Sequence, residues 1–257
     1  MGFLKPDASL ELFVGDPLVC LTICCLIILG GIGFIVTVDL YNWGRKRVRK
    51  EERRPHLTLH TRIVLVSTAS LLVLGTVLTL GLEYDHTLKD LNFWEKLNAS
   101  FFQSVTARTA GYATIPQGEL GDATKLVTII LMFIGASPSS TGGGIKTTTF
   151  VVLVATVVSI SRGRDETVIN KRRVDKSVVY RAMTIVAMAF LVIAITSGVI
   201  MVTTPPEVSA IDAVYEAVSA FGTVGLTTGL TPDLSIVAKI LVMLTMFIGL
   251  SLIHISE

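Results

Sequence analysis

Five long apolar segments dominate the chain and constrain its fold more than any other feature. They cover residues 18–38, 63–82, 123–161 and 178–202, and a last segment begins near residue 234. Several of them approach the ~20 residues that a helix needs to cross a bilayer. In the whole chain 51% of the residues are hydrophobic and only 16% are charged, which is too apolar for an ordinary soluble domain. The sequence therefore predicts an all-α integral membrane protein of the multi-pass type.

Positive charge is concentrated in two of the connections between these segments. They hold eight and seven of the 22 Lys and Arg residues. These are Arg45, Lys46, Arg47, Arg49, Lys50, Arg53, Arg54 and Arg62 in the first connection, and Arg162, Arg164, Lys171, Arg172, Arg173, Lys176 and Arg181 in the second. Because cytoplasmic loops carry the excess of Lys and Arg, both connections are predicted to be cytoplasmic and the others to face outward.

Two Gly-centred stretches, TARTAGYAT at residues 106–114 and FGTVGLTTG at residues 221–229, lie in the outward connections. An offset of 114 residues relates them and also places MFIG at residues 132–135 on MFIG at residues 246–249. Residues 93–107 are amphipathic, which favours a short helix that dips into the membrane and returns as extended chain. Such a segment survives only where it is buried in protein or faces water. The pattern predicts a repeated unit of helix, pore loop and helix; the alternative is that apolar helices merely look alike.

Threonine and glycine at the centre of these stretches suit backbone coordination of a cation. Rings of backbone carbonyls can replace the water shell of an ion, and glycine permits the torsions that this requires. The candidate filter residues are Thr109, Ala110 and Gly111 in the first stretch and Thr223, Val224 and Gly225 in the second. Arg108 is expected to pack behind the filter and donate to carbonyls or an acid, or else to be solvated. An ordinary extracellular turn is the alternative for both stretches.

The sequence GASPSSTGGGIKTTT interrupts the third apolar segment at residues 135–149. Proline and glycine are poor helix formers, so the helix is predicted to break inside the membrane, where the hydroxyl side chains can bond the exposed backbone. The residues singled out in this interruption are Gly135, Pro138, Ser139, Ser140, Thr141, Gly142, Gly143, Gly144 and Lys146. Lys146 is expected toward the cytoplasmic side. A glycine cluster that only packs two helices is the alternative.

An enzyme that uses this loop to hold a phosphorylated substrate is a further alternative. A phosphate-binding loop of the common type needs adjacent Gly and Lys, and Ile145 separates them here. The four histidines, His56, His60, His86 and His254, are scattered along the chain without a partner at catalytic spacing. The sequence therefore predicts no enzyme activity, no metal site beyond that of a transported cation and no cofactor.

Three segments, FFQSVTARTAGY, FIGASPSSTGGGIKTTTF and EAVSAFGTVGLTTGLTP, closely resemble the Trk/Ktr/HKT superfamily of potassium transporters, in particular the membrane subunit of Ktr systems. Members of the family fold four helix–pore loop–helix repeats around one pseudo-fourfold pore. The resemblance implies K⁺ uptake across the plasma membrane through a carbonyl-lined filter, with Gly2 in a further filter sector and the Gly-rich loop as an intramembrane gate. A non-selective or Na⁺-preferring cation channel of the same architecture is the alternative.

The resemblance also implies partners. They are a second copy of the chain in a homodimer and a cytoplasmic nucleotide-binding regulatory ring (KtrA-like), with stimulation by Na⁺ as in Ktr systems. The basic connections either dock such a ring or only set the topology. Membrane lipid surrounds the protein, and no nucleic acid is expected to bind.

The chain is expected to be a C-terminal-half fragment with roughly two and a half of the four repeats. Residues 1–62 would be the end of the second repeat with its basic loop, residues 63–177 the third repeat, and residues 178–249 a truncated fourth repeat. Residues 250–257 depart from the family pattern and are interpreted as an artefact.

Overall fold

The computed structural model of the chain describes residues 9–49, 56–164, 166–169, 172–204 and 208–251. Within these residues the chain forms nine α-helices, three short 3-10 helices and one small hairpin. The α-helices are α1 (Pro17–Ile32), α2 (Phe34–Val48), α3 (Leu59–Glu83), α4 (Phe93–Thr106), α5 (Asp122–Phe133), α6 (Thr147–Ser161), α7 (Lys176–Thr203), α8 (Ala210–Phe221) and α9 (Ile236–Ser251). The 3-10 helices are Glu11–Phe13, Gln117–Glu119 and Thr231–Asp233, and the antiparallel hairpin pairs β1 (Val168–Ile169) with β2 (Arg172–Arg173). The predicted all-α class is confirmed.

Two helices of the described part of the chain, α3 and α7, are long and apolar enough to cross a membrane, with 25 and 28 residues. The pair α1 and α2 counts as a third span if it is taken as one bent element. The apolar helices α6 and α9 are shorter, with 15 and 16 residues. Large apolar side chains such as Val66 and Val73 on α3 are more than 60% exposed, as expected for contact with lipid. The chain is a membrane protein.

Local sequence signals set where several helices begin. The Asp16 side chain accepts a hydrogen bond from Leu18 N–H at 3.0 Å, and Pro17 occupies the first turn of α1. Thr58 caps α3 and Asp175 caps α7 in the same manner. These side chains satisfy backbone donors that a helix start leaves without a partner.

The first apolar segment is not the single helix that its composition predicted. It breaks at Gly33, where α1 and α2 meet at an angle of 99°. Gly33 has φ of 89°, and a Cβ atom at this position would overlap the carbonyl oxygen of Pro138. Phe34 N–H then donates to the Ser139 carbonyl at 3.1 Å. A segment about a hundred residues away therefore occupies the bend and bonds the backbone that the bend exposes.

The two short amphipathic helices α4 and α8 occupy equivalent places in the two predicted repeats. α4 confirms the helix predicted over residues 93–107. It packs against α3 and against α1, whereas α8 packs against α7, α9 and α5. Each of these helices therefore also contacts an apolar helix of the preceding predicted unit. This helix is α1 for α4 and α5 for α8. Most of α8 is buried, with Ala213 and Tyr215 fully enclosed, so its C-terminus lies inside the protein.

Candidate ion pathway

Two three-residue segments follow closely after α4 and α8, the two helices that we term the pore helices. We term these segments filter strand 1 (residues 109–111) and filter strand 2 (residues 223–225). α4 ends at Thr106 and α8 ends at Phe221. A helix carries partial negative charge at its C-terminus, and neither of these two fully described helices has a basic residue in its last turn. Both filter strands therefore begin where the local backbone favours a cation.

The backbone of both filter strands enters the left-handed region at the same two positions. Thr109 and Thr223 have φ of 67° and 53°, and Gly111 and Gly225 have φ of 76° and 90°. Glycine adopts this region without a steric penalty, whereas for an L-residue it costs about 1–2 kcal/mol. The sequence predicted the unusual torsions of the glycines but not those of the threonines.

The two filter strands lie against each other. A Cβ atom on Gly111 would overlap the carbonyl oxygen of Val224 and would lie 3.1 Å from the Cα atom of Gly225. A Cβ atom on Gly225 would lie 3.7 Å from the Cα atom of Gly111. Both predicted triplets thus come together at one place, and the further sector predicted at Gly2 lies outside the described residues.

The carbonyl after each filter glycine is held by the preceding pore helix. The Thr106 hydroxyl donates to the Tyr112 carbonyl at 2.6 Å, and the Ser219 hydroxyl donates to the Leu226 carbonyl at 2.6 Å. These two oxygens already accept a bond from the helices. The carbonyls of the filter strands themselves are therefore the better candidates for contact with a cation.

The Gly-rich interruption forms an irregular segment between α5 and α6, which we term the gate loop (residues 134–146). Its glycines pack against the first residue of each filter strand. A Cβ atom on Gly142 would overlap the Thr109 hydroxyl, and a Cβ atom on Gly143 would overlap the Thr223 hydroxyl. The gate loop therefore occupies the space beside both threonines, and only a residue without a side chain fits there.

Partners within the protein satisfy the backbone groups that the broken helix exposes. The bonds are Gly135 N–H to Ile145 O at 2.9 Å, Ile145 N–H to Phe133 O at 3.3 Å, Ser137 N–H to Gly31 O at 3.1 Å and Thr147 N–H to Ala136 O at 3.3 Å. The Ser140 hydroxyl donates to Ser137 O at 2.6 Å, as the sequence predicted for this side chain. Ser139 takes part through its carbonyl, and Thr141 lies close to Gly30 of α1. Irregular backbone at membrane depth requires this internal pairing.

Two long cationic side chains fold onto the gate loop. Lys146 is only 2% exposed, and its Nζ donates to the Gly142 carbonyl at 3.0 Å. Arg108 is 6% exposed, and its Nη2 donates to the Gly135 carbonyl at 3.4 Å. Arg108 thus donates to a carbonyl, as one of its two predicted placements required. Lys146 is enclosed by the loop.

A cavity of about 480 Å³ opens on the other side of the filter strands. Gly111, Gly225 and Thr228 line it, together with the carboxylates of Glu11 and Glu119. Burial raises the pKa of the Glu11 carboxyl above its ordinary value, and the neighbouring Glu119 carboxylate raises it further. Negative side chains at the mouth of a narrow passage increase the local concentration of cations.

Four buried polar side chains near the filter strands, on α4, on α8 and in the chain after filter strand 1, were not predicted from the sequence. They are Gln103, Gln117, Tyr215 and Glu216, none of which is more than 6% exposed. A usable signal existed for one of them, because Glu216 interrupts the largely apolar helix α8 nine residues before Gly225. A polar side chain in such a place needs a buried partner.

Comparison with known proteins relates the whole chain to one family. The family described as "TrkH: Cation transport protein" matches residues 1–253. Ktr system potassium uptake protein B of Bacillus subtilis (strain 168) is 39% identical over 251 residues, which cover 96% of this chain and 54% of the relative. Potassium/sodium uptake protein NtpJ of Enterococcus hirae is 40% identical over 232 residues, which cover 89% of this chain and 50% of the relative. The chain spans about half the length of the curated relatives it matches, and these relatives are named as transport proteins.

The fold has a counterpart among solved structures. The crystal structure of the potassium transporter TrkH from Vibrio parahaemolyticus matches 97% of this chain and 53% of that chain, with a TM-score of 0.71 and 19% sequence identity. At this level of identity the likeness shows a shared fold.

Proposed function

Because the chain belongs to the TrkH cation transport family, we propose that it takes part in K⁺ uptake across the plasma membrane. The observation that carries this proposal is the meeting of two Gly-centred strands just beyond the C-termini of α4 and α8. A cation that sheds its water there is stabilised by backbone oxygens and by the negative ends of two helices. The names of the Bacillus and Vibrio alginolyticus relatives, both potassium uptake proteins, favour K⁺ as the ion.

The proposal assigns a role to each group of candidate residues. Backbone carbonyls of filter strands 1 and 2 contact the ion, and a further sector at Gly2 completes more of the ring. The gate loop closes the passage next to Thr109 and Thr223, with Gly142 and Gly143 as its contact points. Lys146 and Arg108 hold the closed loop through carbonyl bonds. Opening then requires the gate loop to leave the two threonines.

The same proposal covers the organisation and partners of the chain. Residues 63–177 and 178–249 form two of four pore-forming repeats, and residues 1–62 end another. The protein works as a homodimer with a cytoplasmic nucleotide-binding ring of the KtrA type. The basic connections, which include the exposed Arg47 and Arg164, lie on the side where such a ring would dock.

Sodium transport is the second candidate. The Enterococcus relative, at 40% identity, is named a potassium/sodium uptake protein. This name favours a part for Na⁺ in transport by this chain, either as the transported ion or as a stimulating one.

Flux measurements on the intact encoded protein in liposomes test the proposal. We expect K⁺ and Rb⁺ to pass faster than Na⁺, and we expect Gly225→Ser to reduce this preference because the new side chain strains the left-handed position. Equal or faster Na⁺ flux would establish the second candidate instead. Absence of flux for all three ions, in protein that is correctly inserted and supplied with its regulatory ring, would overturn both.

Growth provides an independent test in cells. The intact protein should restore growth of a bacterium that lacks K⁺ uptake systems when external K⁺ is low. Rescue that is indifferent to substitution of Gly111 and Gly225 would contradict the assignment of the filter strands.

A further inference from the structure

α8 carries two neighbouring buried side chains that reach the outer segments of different repeats. Tyr215 is fully buried, and its hydroxyl donates to Gln117 Oε1 at 2.8 Å. Glu216 is 6% exposed and accepts a bond from the Thr231 hydroxyl at 2.9 Å and from Thr228 N–H at 3.1 Å. It also accepts a bond from the Thr227 hydroxyl. One helix thus bonds the chain beyond both filter strands.

Gln117 links three elements. Its Oε1 accepts bonds from Tyr215 and from Gln103 Nε2, the latter at 2.7 Å, and its Nε2 donates to Gln103 Oε1 at 3.1 Å and to Ile115 O at 2.7 Å. All four bonding positions of this amide are occupied. Gln117 therefore joins α4 of its own repeat to α8 of the next repeat, in the chain that follows filter strand 1.

The arrangement recurs in the second repeat with different chemistry. Gln117 lies six residues after Gly111, and Thr231 lies six residues after Gly225. Each is bonded to a polar side chain of its own pore helix, Gln103 in the first case and Glu216 in the second. A neutral amide pair holds the chain that follows filter strand 1, and a carboxylate that accepts three bonds holds the chain that follows filter strand 2.

We propose that Tyr215 and Glu216 are positioning residues that hold the two filter strands at a set separation and thereby determine K⁺ over Na⁺ selectivity. This inference rests on the proposed function. A ring of carbonyl oxygens prefers K⁺ to the smaller Na⁺ only if the ring does not contract around Na⁺, or if the number of oxygens that coordinate the ion stays constant. The bonds of Tyr215 and Glu216 to the chain that follows each strand resist contraction of the ring and loss of a facing oxygen. A displaced strand would pull on this chain and leave buried polar groups without partners.

Tyr215→Phe is the sharpest variant, since it removes one hydroxyl and keeps the volume of the ring. Thr231→Val removes one of the donors to Glu216 at an exposed position, where effects on folding are small. In the intact protein in liposomes, we expect each variant to lower the ratio of Rb⁺ to Na⁺ flux roughly fivefold, the factor expected for one lost hydrogen bond. Rb⁺ flux itself should stay close to that of the wild type.

Thr196→Val is the matched control. Its hydroxyl pairs with the Thr245 hydroxyl at 2.7 Å between α7 and α9, buried and outside the set of groups that bond the filter strands. This variant should lower thermal stability to a degree similar to that of Tyr215→Phe and leave the flux ratio unchanged. A merely structural role of Tyr215 would make the two variants alike in both measurements.

The outcomes separate the inference from the function on which it rests. A wild-type protein that transports no K⁺ would refute the proposed function. A wild-type protein that selects K⁺, combined with unchanged flux ratios in both Tyr215→Phe and Thr231→Val, would refute only the positioning role. If Tyr215→Phe does not insert, the ratio measured for Thr231→Val decides the question alone.

Discussion

The first residue of each filter strand is a threonine in a backbone conformation that threonine rarely adopts. Thr109 and Thr223 both have positive φ, and a β-branched side chain makes this conformation more costly still. In return, both hydroxyls lie against glycines of the gate loop, Gly142 and Gly143. Strain that recurs at the same place in both filter strands, next to the gate loop, is where a functional constraint is expected.

Gly111→Ala should damage ion selection more than Gly225→Ala. Both glycines have positive φ, so both substitutions are strained, but only the Cβ atom at Gly111 would overlap a backbone oxygen of the other strand, that of Val224. Flux of Rb⁺ and Na⁺ into liposomes measures the effect. We expect the Rb⁺ over Na⁺ ratio to fall about tenfold further in Gly111→Ala, equivalent to about 1.4 kcal/mol.

Gly229→Ala supplies the control for that comparison. Gly229 also has positive φ, at 98°, but no atom lies within 4 Å of the position of a Cβ atom. Gly229→Ala should carry the backbone strain of the other two variants without an overlap. Its ratio of Rb⁺ to Na⁺ flux should therefore equal that of the wild type. A larger loss in Gly225→Ala than in Gly111→Ala would contradict the observed contact between the strands.

The raised pKa of Glu11 predicts that uptake depends on external pH. A carboxyl whose pKa is raised takes up its proton at a higher pH than an ordinary glutamate. The mouth therefore loses negative charge as the pH falls through that raised value, and uptake at limiting K⁺ should decrease. Glu11→Gln should already show the lower rate near neutral pH and should flatten this part of the profile. An unchanged pH profile in Glu11→Gln would show that another group is responsible.

At the scale of elements, the gate loop is a helix break that the rest of the molecule completes. Its backbone bonds run to Gly31 at the end of α1 and to Phe34 at the start of α2 as well as within the loop. Arg108, just before filter strand 1, adds a bond to Gly135. The loop thus contacts both filter strands and the bend between α1 and α2, so a displacement of the loop would break bonds to these elements.

Gly142→Ala and Gly143→Ala should raise the basal flux of K⁺. The added methyl groups overlap the hydroxyls of Thr109 and Thr223, and that of Gly142→Ala also overlaps Ala136 within the loop. The loop must therefore repack and move away from the filter strands. Deletion of residues 139–144 should raise the flux further. Initial rates of K⁺ uptake into liposomes provide the measurement.

Gly81→Ala is the control for the gate loop variants. Gly81 lies in α3 with nothing within 4 Å of its Cβ position, so the flux should not change. Unchanged or lower flux in both loop variants, with normal insertion, would show that the loop is not the gate.

At the scale of the whole molecule, the two predicted repeats are joined where α8 packs against α5. Lys125 at the start of α5 pairs with Asp212 in the first turn of α8 at 2.8 Å. The Lys125 side chain is 7% exposed and that of Asp212 is 21% exposed. Such an ion pair matters for stability mainly because removal of one partner leaves the other charge buried and unpaired. The attraction between the two charges contributes less. It connects one predicted repeat to the next.

Asp212→Asn should therefore lower the stability of the intact protein by about 1–3 kcal/mol, less than for a fully buried pair because Asp212 is partly solvated. Thermal unfolding in detergent measures the change. The double variant with Lys125→Met should recover part of the loss, because no buried ammonium then remains without its partner. A double variant less stable than both single variants would contradict this account of the pair.

The sequence alone determined the features that depend on local composition. Apolar runs of membrane length required helices, Pro138 and the following glycines required a break, and the offset of 114 residues related two Gly-centred segments of similar sequence. The position of α4 and the unusual torsions of Gly111 and Gly225 could be predicted because amphipathic patterning and glycine act over a few neighbouring residues.

Only the tertiary structure decided the features that depend on contacts between distant segments. The bend at Gly33 exists because the Pro138 carbonyl fills its inner side, the burial of Lys146 depends on how the gate loop closes on itself, and Tyr215 meets Gln117 across 98 residues. The physical reason is that a buried polar group needs a partner, while its own sequence neighbourhood does not reveal which segment supplies one. Packing of the repeats against each other makes that choice.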